Sequence, residues 1–303
     1  MKRIVLSLII IAALSNSILQ ADEQLKLSTT IKPIHSLVSA ISGELADTQQ
    51  IIQGNASPHH YHLKPSDLRK LHSADLLFRI DPKLESFLQK SLRSIDEQKV
   101  ITLSTSTGLT MLPALESHGH DEHDVSDDEA EELDYHLWLN PDNAIAMASS
   151  IRNALSKAAP KHAEQFAKNT EQLINAIRKK DQQIKEQLDE VKDTPFLVMH
   201  DAWQYFTKYY ELKQLGSISA QERLKPSAKS ISNARRVITE SKVSCLLTEP
   251  NIKAKTLAIL TEDLSIKVTE IDPLGREIPQ SDSAYPQLLQ YIADKLLNCL
   301  KKK

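Results

Sequence analysis

The chain has 303 residues, 41% of them apolar and 25% charged, with only 6 glycines and 13 prolines. That is globular composition, enough for one large core or two smaller ones, and it argues against fibrous or disordered chains. The formal net charge is −3; the basic residues form no stripe or aromatic-interleaved groove, which makes nucleic acid a poor candidate partner.

Lys2 and Arg3 precede an apolar run from Ile4 to Leu14, followed by short and polar residues up to Ala21. This is the layout of a secretory signal peptide, residues 1–21, with the cut expected after Ala21, although Leu19 departs from the usual small residue. The run is shorter than the roughly 20 residues that span a bilayer. No cysteine follows it, so no lipid anchor is expected, and no later stretch is long and apolar enough to span. A soluble protein outside the cytoplasm is the expectation. Without the leader, 35 basic residues face 40 acidic ones, a net charge of −5.

From Leu25 onward short strands alternate with helices. Strands are predicted at 25–30, 48–53, 74–80 and 100–103. Helices are predicted at 33–41, from Pro65, and from Asp81-Pro82 to about Leu92. Such alternation implies parallel sheet covered by helices. Residues 116–134 break the pattern: ten acids, no Lys or Arg, and His118, His120 and His123. A segment so poor in apolar residues cannot offset the entropy of ordering and reads as a mobile surface loop.

A helix follows Pro141, and a second pattern runs over 160–191 with apolar residues at Phe166, Leu173, Ile177, Ile184 and Leu188. Thirty helical residues reach roughly 45 Å. That suits a rigid spine between an N-terminal lobe (22–159) and a C-terminal lobe (192–303); the alternative is a helical hairpin. The second half repeats the alternation, with strands at 196–199, 212–218, 243–247 and 266–271 and a terminal helix. The expected fold is therefore α/β, two similar lobes with mostly parallel sheets joined by a long helix, with a cleft between them.

Ligands in open α/β sheets collect at the carboxyl ends of strands. His200 and Asp272 end predicted strands, His59 follows one, and His136 precedes a helix. Three imidazoles and one carboxylate suit a borderline-soft ion, with tetrahedral zinc preferred. These residues stand 64 to 77 positions apart, so spacing alone leaves open that they are scattered histidines bonding locally. His118, His120 and His123 lie close enough to hold an ion loosely, and the acids around them raise the local cation concentration; a solvated tether is the alternative. Cys245 and Cys299 are the two cysteines, and an even count in an exported chain favours a disulfide over two buried thiols. No His-Glu-x-x-His helix, nucleophile elbow or glycine-rich phosphate loop is present, and no enzyme is expected.

Several motifs carry a family resemblance across the mature chain. They are Thr30-Ile31-Lys32-Pro33-Ile34-His35, Ser57-Pro58-His59-His60-Tyr61, the insert followed by Asp134-Tyr135-His136-Leu137-Trp138, His200-Asp201-Ala202-Trp203, Thr248-Glu249-Pro250 and Asp272-Pro273-Leu274-Gly275. Together they resemble the periplasmic zinc-binding component of high-affinity zinc ABC transporters, within the zinc and manganese solute-binding proteins. The resemblance implies a periplasmic carrier, expected to be monomeric, that hands Zn2+ to an integral-membrane ABC permease. It places His59, His136 and His200 at the family's three histidine positions, and Asp272 where many members supply a carboxylate. Pro58 removes the glutamate that serves some members, leaving Asp272 or water as fourth ligand. Cys245 and Cys299 match the disulfide of zinc members. Glu249 matches a common family acid without an assigned role. Manganese-selective relatives tend to carry glutamate where this chain has His200, which moves the reading toward zinc. The alternatives are a manganese or iron(II) carrier on the same fold, a cell-surface adhesin and, last, a zinc-dependent hydrolase.

Overall fold

The structure, a computed structural model, describes residues 24–54, 56–114, 133–219 and 226–301. The leader 1–21 and the insert's His118, His120 and His123 lie outside the described residues.

The first lobe runs β1 (Leu25–Thr29), α1 (Lys32–Ser42), β2 (Ala46–Gln50), α2 (Pro65–Ser73), β3 (Leu76–Arg79), α3 (Gln89–Leu92) and β4 (Val100–Thr102). Its strands are parallel in the order β2-β1-β3-β4. A two-stranded antiparallel ribbon, β5 (Leu112–Pro113) and β6 (Leu133–Asp134), flanks the insert. Two helices follow, α4 (Pro141–Ala158) and α5 (Ala163–Leu188). The second lobe comprises β7 (Phe196–His200), α6 (Gln204–Tyr209), β8 (Gln214–Ser219), α7 (Ala228–Glu240), β9 (Cys245–Thr248), α8 (Ala254–Thr261), β10 (Lys267–Glu270) and α9 (Ala284–Leu300). Its sheet is also parallel, in the order β10-β9-β7-β8.

Counted within each lobe, both sheets read 2-1-3-4. Chain connections therefore leave in opposite directions from the first and third strands, β1 and β3 in one lobe, β7 and β9 in the other. A crevice at the strands' carboxyl ends opens at such a point.

Local sequence explains the helices between the lobes. Asn140 caps α4, its Oδ1 accepting the N–H groups of Asp142 and Asn143 at 2.8 and 3.2 Å, with Pro141 in the first turn. One continuous helix, not a hairpin, forms α5. Its 26 residues span about 39 Å. The buried face carries Phe166, Thr170, Leu173, Ile177, Ile184 and Leu188, steps of three, four and seven that make one apolar stripe. That stripe packs on α1, α4 and α9.

The helix expected from Asp81-Pro82 to Leu92 is broken. Glu85 is fully buried, and its carboxylate accepts the backbone N–H groups of Ile80 and Asp81 at 3.1 and 2.9 Å. The chain wraps around that carboxylate, leaving a 3-10 turn (Ser86–Leu88) and the four-residue α3. Burial pushes the Glu85 carboxyl up to about 7.

Strand β7 separates two apolar layers, because alternate side chains face opposite sides of a sheet. Phe196 and Val198 join a core that runs from Leu27 in the first lobe through α5 to Leu247 and Leu289 in the second. Leu197 and Met199 join a smaller outer cluster with Ile238, Leu246 and Leu260. Cys245 at the start of β9 is disulfide-bonded to Cys299 of α9, with Cα atoms 5.6 Å apart. No described helix is long and apolar enough to cross a membrane.

Candidate metal centre

His200 is the last residue of β7 and Glu249 directly follows β9, so the two strands at the second lobe's branch point deliver them side by side. His200 Nδ1 lies 3.2 Å from Glu249 Oε1, both side chains buried. An ionised carboxylate only accepts, so the imidazole proton sits on Nδ1 and Nε2 keeps its lone pair.

The first lobe repeats the device. Asp134 ends β6, and its Oδ1 accepts both the backbone N–H of His136 at 2.9 Å and its Nδ1–H at 2.6 Å. The same tautomer follows for His136. His59 sits in a 3-10 turn opened by Pro58, where Ser57 Oγ accepts the His59 N–H at 3.3 Å. Its Nε2 stands 3.4 Å from His136 Nε2. Two imidazole nitrogens meeting there need a shared proton or a cation between them. Zinc–nitrogen bonds of about 2.0–2.1 Å in a tetrahedron separate the nitrogens by about 3.3 Å.

The third ring completes the group. Ring centroids are 5.4 Å apart for His59 and His136, 5.6 Å for His59 and His200, and 5.3 Å for His136 and His200. One nitrogen from each lies within 4.8 Å of the others. The space among them, also walled by Trp138, Leu274 and Arg276, measures about 20 Å³, room for one water-sized body.

Asp272 departs from the four-ligand expectation, for it lies outside this group. Its Oδ1 accepts the Leu274 N–H at 3.0 Å and stands 3.3 Å from Arg276 Nη2, while its Oδ2 accepts the Arg276 backbone N–H at 2.7 Å. In Asp-Pro-Leu-Gly-Arg the carboxylate finds three donors within its own turn, and it lines a neighbouring cavity of about 900 Å³ instead. Sequence reasoning overlooked Asp134, which its composition assigned to the acidic insert; the signal was its place two residues before His136.

The match to known proteins covers nearly the whole chain. Residues 28–299 match the family described as "Zinc-uptake complex component A periplasmic". The chain is 32% identical to the high-affinity zinc uptake system protein ZnuA of Haemophilus ducreyi, over 90% of this chain and 92% of that one. It is 31% identical to the protein of the same name from Brucella suis, over 93% of each. In structure it resembles a crystal structure of ZnuA with a TM-score of 0.78 at 22% identity, covering 92% of this chain and all of the other; that likeness establishes the fold.

Proposed function

Because this chain belongs to the periplasmic zinc-uptake component A family, we infer that it captures zinc outside the cytoplasmic membrane and delivers it to an ABC permease for import. The observation that carries this reading is the meeting of His59, His136 and His200, with one nitrogen from each within 4.8 Å of the others. Neutral imidazoles bind the ion without adding buried charge, and the Asp134 and Glu249 carboxylates behind two of them offset the charge of Zn2+ and raise ligand basicity. A nitrogen-rich set favours zinc over manganese.

His59 and His136 belong to the first lobe and His200 to the second, so an ion held by all three ties the lobes together. The fourth place falls to Asp272 or water; to take it, Asp272 must loosen its hold on Arg276 and its own turn. A space with room for one ion and little else suits a carrier that catalyses nothing. His118, His120 and His123 of the insert collect metal weakly. Release requires the permease to draw a ligand away, which the lobe carrying His200 offers, and the continuous core limits the lobes to small movements.

Competition titration with zinc tests the reading. His59→Ala, His136→Ala and His200→Ala should each lose tight binding, by more than the roughly 10–100-fold that removal of an outer partner costs. Deleting the insert should remove only weaker equivalents. Tight binding that survives in one of the three variants would strike that residue from the site, and manganese outcompeting zinc would redirect the cargo. Cobalt(II) absorption spectra of Asp272→Asn separate the carboxylate from water as fourth ligand.

A further inference from the structure

We propose that Gln204 is a positioning residue for the metal site, reaching from the second lobe to fix the Asp134 carboxylate and, through it, the tautomer and aim of His136. The proposal rests on the zinc-site reading above and adds a residue to it. Gln204 opens α6, four residues after His200, and is 1% exposed. Its Nε2 donates to Asp134 Oδ2 at 2.9 Å and to the Pro113 carbonyl at 2.8 Å. Its Oε1 accepts from Lys208 Nζ at 3.0 Å, one helical turn further on.

The Lys208 contact decides which way the amide faces. An ammonium only donates, so the side toward Lys208 is oxygen and the NH2 points at Asp134. Asp134 is then held on both oxygens, Oδ2 by Gln204 and Oδ1 by the two N–H groups of His136. Tyr205 adds a bond from its hydroxyl to the Asp134 carbonyl at 2.8 Å, and it accepts the Leu112 N–H at 2.9 Å. Residues 204 and 205 thus grip both strands of the β5–β6 ribbon.

Chemistry favours an amide at this position. A cation against Asp134 would draw off the negative charge that makes His136 a better ligand. The amide holds the carboxylate still and leaves that charge facing the imidazole. Without it, Asp134 Oδ2 would be a buried, unsatisfied acceptor, and the carboxylate would turn away from His136 to find another donor. One short segment, 200–208, therefore supplies a ligand of its own lobe and positions a ligand of the other.

The test uses the full mature chain with two variants, Gln204→Leu and Lys208→Met; Lys208 is exposed, so its replacement leaves the fold intact. Zinc affinity is read by chelator competition, and histidine tautomers by two-bond 1H–15N spectra of the protein stripped of metal. Gln204→Leu should weaken zinc roughly 10-fold or more, and Lys208→Met by a smaller factor. In both, His136 should lose its pure Nδ1–H signature while His200 keeps its own. Zinc affinity and a His136 tautomer unchanged in both variants would overturn the proposal, as would equal changes at His136 and His200. A normal Gln204→Leu beside a crippled His136→Ala sinks this inference alone; an unaffected His136→Ala would sink the zinc-site reading beneath it.

Discussion

The indole N–H of Trp138 donates to the Pro273 carbonyl at 2.9 Å, across 135 positions of sequence. The Tyr285 hydroxyl in turn donates to the Trp138 carbonyl at 2.7 Å. Trp138 lies two residues after His136, and Pro273 follows Asp272. The loops that carry the two candidate ligands are therefore stapled to each other through buried backbone groups, and the ion meets a site whose walls are already set.

Trp138→Phe keeps one aromatic ring but removes the pyrrole ring with its N–H, leaving the Pro273 carbonyl without its donor and a small void beside it. We expect a loss of about 1–3 kcal/mol of stability, together with weaker zinc binding. Chemical denaturation and zinc titration of the same samples measure both.

Asp134→Asn and Glu249→Gln retain shape but remove the charge behind His136 and His200. Each should weaken zinc roughly 10–100-fold without abolishing binding, in contrast to the histidine variants. Chelator competition on the two proteins gives the comparison.

His35, which is not in the candidate ligand group, supplies a pH prediction. Burial, then the charges of Lys32 and Lys70, lower its pKa from 6.5 to about 4, and Thr29 Oγ1 lies 3.2 Å from its Nδ1. The unfolded chain takes up this proton at a higher pH than the folded one. Stability from neutral His35 is thus fully present above pH 6.5, is lost as pH falls toward 4, and changes little below that. The wild type should lose about 3 kcal/mol more than His35→Gln over that interval. Denaturant unfolding from pH 4 to 7.5 of protein stripped of metal would show parallel curves if the idea is wrong.

Cys245 and Cys299 are separated by 54 positions. Closing a loop of that size restricts the unfolded chain by about 4 kcal/mol in the chain-entropy account. Reduction, or a Cys245→Ala/Cys299→Ala double variant, should lower unfolding stability by up to that amount. Zinc affinity should stay near its original value, because the bond lies at the amino end of β9, opposite Glu249.

Much of this molecule can be read from its residues, and the exceptions have physical causes. The stripe from Phe166 to Leu188 announces α5 because a helix of that length needs one apolar face. His59, His136 and His200 attract notice because each adjoins a strand end or turn, and they do meet. Asp272 looked equivalent by the same reasoning, but the donors of its own turn and Arg276 compete for its oxygens, and spacing cannot reveal that contest. Asp134 was hidden by the company it keeps among the insert's acids. The Asp81-Pro82 start was sound as local chemistry, yet Glu85 found buried amides to serve and the helix gave way to tertiary demand.

The main apolar core belongs to neither lobe alone, since side chains from Leu27 to Leu289 form a single mass around α5. A protease cutting the short link between Val191 and Phe196 would therefore not free two proteins. The pieces should remain clasped, migrate as one particle, and part only on the heating that melts the intact chain.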